Sequence, residues 1–252
     1  MESIVEVKNI YKDFKVAGGL LPNEAAVVHA LKDVSFSINE FTTVGIAGES
    51  GSGKTTLAKI ILKLITPTRG EIIFHAQKVR NLRKDAQIIF QNPYNSLDPK
   101  MRVFDAVAEP LLIHGILPRK DIKGRVFELM KMVGLQENMS GRFPAAFSGG
   151  QRQRICIARA LACEPKFLVL DEPLSSLDLT IQAKLLELFL TLKTKLKLTY
   201  LLISHNLAVI KNITDEVIIM QNGRIVEQQS TSEIFSRPRS AYTQKLLDAA
   251  RG

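Results

Sequence analysis

The apolar positions of this chain change period several times along its length. Residues 3–10 alternate apolar and polar, as a half-buried strand does. Residues 27–38 alternate again, with Val34, Phe36 and Ile38 on one face, and allow one strand or two. Between them, residues 17–23 hold two Gly and a Pro and predict a loop. Residues 43–47 form a short apolar strand that runs into a glycine-rich turn. Helical spacing follows over 55–64, through Leu57, Ile60, Ile61 and Leu64. Residues 70–74 and 86–90 read as strands. The period is then helical over 103–113, 120–133 and 150–163, with Pro and Gly between the segments. After Pro165 come buried-type strands at 167–170 and 199–204, with a helix over 181–195 between them. The prediction is an α/β fold: a mostly parallel sheet covered by helices, an antiparallel portion near the N-terminus, and a helical insertion near 92–160.

Chemistry attaches to three places in this pattern. Gly48-Glu49-Ser50-Gly51-Ser52-Gly53-Lys54-Thr55 fits the G-x-x-x-x-G-K-[ST] phosphate loop, between the strand and the helix that such a loop requires. Its glycines let backbone N–H groups approach phosphate oxygens, and the helix that follows turns its positive end toward them. Lys54 adds a point charge and the Thr55 hydroxyl a ligand for Mg²⁺. The second place is the apolar strand 167–170, which ends in Asp171-Glu172. Ligands of open parallel sheets sit beyond the C-terminal strand ends. Asp171 is a candidate for Mg²⁺ and Glu172 for orienting and deprotonating a water. The third is Ser148-Gly149-Gly150-Gln151. Ser followed three residues later by Gln is a capping box that starts a helix. That cap explains neither the glycine pair nor the basic run Arg152-Gln153-Arg154; bare N–H groups at a helix start suit an anion.

Composition narrows the field. The 252 residues suit one domain, and the length suffices for a core without disulfides or metals. The two cysteines, Cys156 and Cys163, read as core thiols. No apolar h-region marks residues 1–12, so a reducing cytoplasmic compartment is expected. No run approaches the roughly 18 apolar residues of a membrane span. The net charge is +9, but Lys and Arg are scattered and no aromatic-rich basic patch suggests base stacking.

In order and kind, these motifs resemble those of the ABC ATPases, over essentially the whole chain. Ser148-Gly149-Gly150-Gln151 resembles their signature, Gln91 the Q-loop glutamine, Ser175-Ser176-Leu177-Asp178 the D-loop and His205 the switch histidine. Phe14 falls where the family stacks an aromatic on adenine, with Tyr11 close enough to compete. The resemblance implies a P-loop NTPase with a RecA-like core, an N-terminal antiparallel β subdomain and a helical ABC-specific subdomain. Residues 1–91 and 161–235 would be the core with its β subdomain, 92–160 the helical subdomain and 236–252 a short tail. ATP and Mg²⁺ are the implied cofactors. Gln91 would join Thr55 and Asp171 at the metal, and Thr56 and Asp178 would join the nucleotide site. Glu172, His205, Gln91 and Lys54 would serve catalysis. Phe147 stands where Leu is usual, Ser176 where Ala is more frequent and Asn206 where Asp is common; none of these removes a catalytic group.

Two functions compete within the resemblance: a transport motor, and an ABC ATPase acting on nucleic acid or ribosomes. No sustained heptads separate Lys54 from Ser148, one cassette is present rather than two, and no membrane helices are fused to it. An importer subunit is therefore expected, without nucleic acid. Residues 90–99 (Phe-Gln-Asn-Pro-Tyr-Asn-Ser-Leu-Asp-Pro) and the tail Arg237-Pro238-Arg239-Ser240-Ala241-Tyr242-Thr243 look like the dipeptide, oligopeptide and nickel permease ATPases, with Ser240 where His is common. The lack of a cysteine-bearing extension before Gly252 resembles the shorter nickel or metal-chelate members, and small peptides stay open as cargo. The group implies a head-to-tail dimer with a second, different cassette, ATP lying between residues 48–56 of one chain and 148–151 of the other. It further implies two membrane permeases docked after Gln91, an extracytoplasmic solute-binding protein acting through the complex, and a place on the cytoplasmic face of a bacterial membrane.

Overall fold

A computed structural model describes residues 2–16, 26–75 and 77–250. The loop expected over 17–23 lies outside these residues, as does the C-terminal residue 252. The first elements are β1 (Ser3–Val16), β2 (Ala26–Asn39), β3 (Thr43–Ala47), α1 (Lys54–Ile61) and β4 (Arg69–Phe74). Then come α2 (Leu82–Asp85), β5 (Ala86–Ile89), α3 (Pro93–Ser96), α4 (Val103–Ile113), α5 (Ile122–Met132), α6 (Gly149–Leu161), β6 (Phe167–Asp171) and α7 (Leu179–Leu196). The chain closes with β7 (Thr199–Ile203), α8 (Leu207–Ile213), β8 (Glu216–Gln221), β9 (Arg224–Ser230), α9 (Thr231–Ser236) and α10 (Ala241–Ala249). Two compact units result: Met1–Val79 with Thr199–Gly252, and Arg80–Leu198.

In the first unit β1 lies between β2 and β4 and is antiparallel to both. Val5, Val7, Ile10, Leu31, Val34 and Ile38 form its apolar face. β1 runs six residues past the predicted end at Ile10, because its register with β2 shifts between Ile10 and Lys12 and again before Asp13. Such irregularities break the two-residue period without ending the pairing. β2 is one strand. β3 is the middle of a parallel trio, beside β7 (Val44 opposite Leu201) and β8 (Val44 opposite Glu216), and β9 returns antiparallel to β8. All five residues of β3 and all five of β7 are buried, which is why both read as continuous apolar runs. Helix α8 covers β3 closely: a Cβ on Gly45 would stand 2.7 Å from the Thr214 methyl.

In the second unit β5 and β6 pair in parallel, from Ala86 opposite Phe167 to Ile89 opposite Leu170. Helix α6 packs against α3, α4 and α5. Val103, Val107 and Leu111 of α4, Val126 and Leu129 of α5, and Ile155 and Ile157 of α6 are buried. Each such side chain contributes roughly 1.5–3 kcal/mol on burial. Helix α4 spans the residues that the period predicted; Pro110 lies inside it.

Candidate functional site

The loop 48–53 leaves β3 at the C-terminal end of the parallel trio. Gly48, Gly51 and Gly53 have φ of 147°, 80° and 105°. A Cβ on Gly48 would lie 2.1 Å from the Met220 carbonyl oxygen, and one on Gly53 2.7 Å from that of Ala30. Both obstacles are backbone, so glycine is required there. The loop rests on the β8–β9 turn, where the Gly223 N–H donates to the Ser52 carbonyl at 3.1 Å. The Glu49 N–H donates to the Tyr242 phenol oxygen of α10 at 3.3 Å. Lys54 is only 7% exposed. It donates to the carbonyls of Gly48 (2.8 Å) and Glu49 (2.7 Å) and to Ser52 Oγ (3.3 Å). Burial fixes this charge above the loop at the cost of desolvation, which these partners offset. Helix α1 begins here behind Gly53, which has no side chain with which to cap it. The first-turn N–H groups and the lysine therefore converge on a place suited to an anion. Thr55 and Thr56 lie in that first turn.

Two further predicted residues belong to this unit. His205 is exposed and follows β7, whose end is tied to β3 by the Ser204 N–H donating to the Ile46 carbonyl at 3.2 Å. Asn206 caps α8, its side-chain oxygen accepting from Ala208 N (2.9 Å) and Val209 N (3.4 Å). An Asn performs that cap as well as an Asp would. On β1, the Tyr11 ring has the Arg69 guanidinium of β4 4.8 Å from its centroid. The Phe14 ring is 40% exposed, with the Lys12 ammonium 5.0 Å from its centroid. Each of the two aromatics thus carries a cation at a similar distance, and Phe14 is the more exposed.

The second unit holds the remaining candidates. Because Ile89 pairs with Leu170, Gln91 and the pair Asp171-Glu172 leave adjacent strand ends. Asp171 is buried, and Glu172 has a φ of 50°. A left-handed non-glycine residue costs roughly 1–2 kcal/mol. The turn is held by Ser175, whose N–H (3.3 Å) and hydroxyl (3.1 Å) both donate to the Glu172 carbonyl. The capping box is present in both directions: Ser148 N donates to Gln151 Oε1 at 3.0 Å and Gln151 N to Ser148 Oγ at 3.4 Å. Among the described residues, no acceptor takes the N–H of Gly149 or Gly150. A Cβ on Gly149 would meet Leu177 Cδ2 at 3.2 Å, and one on Gly150 would meet Ile181 Cγ2 at 2.6 Å. So the glycine pair also lets α6 lie against the D-loop segment and α7. Asp178 caps α7 through the Ile181 N–H at 2.9 Å.

The sequence profile described as ABC transporter matches residues 31–175. The chain belongs to that family. It is 43% identical over 256 residues to the glutathione import ATP-binding protein GsiA of Escherichia coli (strain K12), and 44% identical to that of Shigella flexneri. Each alignment covers 98% of this chain but 41% of the relative, so the chain spans about two fifths of the length of these proteins. Among solved structures, cbiO1 from Clostridium perfringens, part of the ABC transporter complex cbiONQ, superposes with a TM-score of 0.78 at 26% identity, over 94% of this chain and 92% of that one. The cassette MJ0796, in a dimeric post-hydrolysis state bound to ADP and Pi, gives 0.76 at 29% identity, over 90% and 98%.

In this ABC transporter chain the basic run after the signature is used internally. The Arg152 guanidinium lies 3.9 Å from the Tyr94 ring centroid and donates to the carbonyls of Pro144 (2.7 Å) and Ala145 (3.1 Å). Arg154 donates to the Val133 carbonyl. Arg159 donates to the Ser96 carbonyl (2.8 Å) and to Glu109 (2.7 Å). The residues following Gln91 are therefore strapped to α6, a role that spacing alone did not reveal. Beside them lies a groove of about 470 Å³, lined among others by Phe90, Ser96, Glu109, Ile113, His114 and Arg159. Cys156 and Cys163 are free and buried, and burial pushes the Cys156 thiol up to about 12. They are core thiols. Phe147, in place of the usual Leu, is buried too. No described helix is long and apolar enough to cross a membrane.

Proposed function

We propose that the chain binds ATP with Mg²⁺, hydrolyses it and thereby powers import through an ABC complex. The observation that carries the reading is the phosphate loop: three left-handed glycines, a buried Lys54 and the start of helix α1. Residues 48–56 would hold the phosphates and Phe14 the adenine. Thr55, Asp171 and Gln91 would hold Mg²⁺, which neutralises phosphate charge when bound. Glu172 is assigned to the attacking water, and His205, Gln91 and Lys54 assist. Ser148, Gly149, Gly150, Gln151 and Asp178 would close on the nucleotide of a second cassette, since no described residue accepts the N–H groups of Gly149 and Gly150. In this division residues 1–91 and 161–235 bind and turn over nucleotide, 92–160 face the membrane subunits and 236–252 form a tail.

The partners are a second, different cassette, two permeases seated near the groove beside Ser96, and a solute-binding protein acting through the complex. The place is the cytoplasmic face of a bacterial cell membrane, at its periphery. Relatives named for import of glutathione, itself a small peptide, favour peptides over nickel or metal chelates as cargo. They lend no support to a role on nucleic acid or ribosomes. The test is co-purification. The chain should copurify with two membrane proteins and a second cassette, and hydrolyse ATP faster when the loaded binding protein is added. Salt-sensitive binding of nucleic acid without any membrane partner would overturn the reading.

A further inference from the structure

The tail motif 237–243 plays no part in the chemistry above, yet it is built into the first unit with care. Its anchor is Glu227 on β9, only 7% exposed. One carboxylate oxygen accepts the Arg239 N–H at 2.8 Å and the other the Ser240 N–H at 2.9 Å. Gln229 donates to the same carboxylate. Burial pushes the Glu227 carboxyl up, but these two N–H groups and Gln229 outweigh it and hold the group below its ordinary range. Ser240 then caps α10 through the Tyr242 N–H at 3.2 Å, and Thr243 and Leu247 are buried. This sets the direction in which Tyr242 leaves the helix, and its phenol oxygen meets the Glu49 N–H of the phosphate loop. The same hairpin that carries Glu227 supports the loop at its other end, through Gly223 and Ser52. Both halves of the loop are thus held by the last thirty or so residues of the described chain.

We infer that Tyr242 is a positioning residue for ATP. By accepting the Glu49 N–H it holds the first half of the phosphate loop in the shape from which Lys54 and the α1 N–H groups address phosphate. Glu227 sets that contact by docking the tail. A loop already shaped for its ligand loses less freedom on binding, and that saving appears as affinity. This inference rests on the phosphate-loop reading.

The test is an equilibrium titration of the purified chain with a fluorescent ATP analogue, alongside ATPase kinetics. Tyr242→Phe removes only the hydroxyl. The Kd for the analogue and the KM for ATP should rise about fivefold, the effect of one hydrogen bond, with kcat at saturating ATP and Tm near wild type. Glu227→Gln should weaken binding in the same direction. Glu49→Pro removes the donor itself, and Tyr242→Phe in that background should add nothing. Wild-type affinity in Tyr242→Phe would overturn the inference, as would a loss matched by an equal fall in kcat and Tm. If the wild-type chain itself fails to bind the analogue, the phosphate-loop reading falls and takes the inference with it; equal binding by wild type and Tyr242→Phe removes the inference alone.

Discussion

Glycine does different work in the two units. At Gly48 and Gly53 the backbone is left-handed and the space for a side chain is filled by carbonyl oxygens of Met220 and Ala30. At Gly149 and Gly150 the backbone is an ordinary helix start, and what fills the space is side chain, Leu177 and Ile181. The first pair is demanded by the shape of one loop. The second is demanded by how closely one helix lies against its neighbour. A backbone obstacle cannot be mutated away, whereas a side-chain obstacle can. The phosphate loop is therefore the less forgiving of the two regions.

The largest expected effect tests whether the units divide the chemistry as well. Glu172→Gln should retain ATP binding, which rests chiefly on the phosphate loop of the first unit, while kcat falls on the order of a thousandfold. ATP-driven dimers of this variant with its partner cassette should accumulate in gel filtration. Near-normal hydrolysis would remove Glu172 from its role. Next comes Gly48→Ala, which should destabilise the chain by roughly 3 kcal/mol or more in denaturant titrations and abolish nucleotide binding. A stable Gly48→Ala chain that still binds ATP would erase the contrast. Gly150→Ala should cost less, about 1–2 kcal/mol, because Ala's better helix propensity offsets part of the clash. Combining it with Ile181→Leu, which moves the offending methyl, should restore part of the loss; failure of that rescue would show that more than Ile181 fills the space. The smallest effect belongs to Gly51→Ala. Nothing lies within 4 Å of its Cβ position, so only the φ of 80° resists, at about 1 kcal/mol. A loss at Gly51 equal to that at Gly48 would mean that dihedral strain, not the backbone obstacle, dominates the loop.

What the sequence made legible is what is local. The capping box at Ser148 and Gln151, the phosphate loop and the helix over 103–113 each rest on residues within a few positions of one another. The end of β1 was missed because a register shift conceals its period. The elements after Ser204 were missed. Helices α8, α9 and α10 are six to nine residues long and begin at Asn or Ser caps, and β9 carries Glu-Gln-Gln where a buried strand would be apolar. Long-range contacts left no trace at all. Tyr242 and Glu49 are 193 positions apart, and nothing in either neighbourhood announces the other. The basic run 152–154 misled for a related reason: its positive charges are used on carbonyls and a ring that only the packed helices bring near.

The parallel trio around β3 has a consequence for synthesis. β3 is made early, but its partners β7 and β8 lie more than 150 residues later in the chain. As the chain leaves the ribosome, β3 has both edges open until residues 199–221 emerge. The second unit is one uninterrupted stretch, Arg80–Leu198, and its helices can assemble in the meantime. The unit that carries the phosphate loop is begun first and finished last, and α10, which brings Tyr242 to that loop, is its final helix.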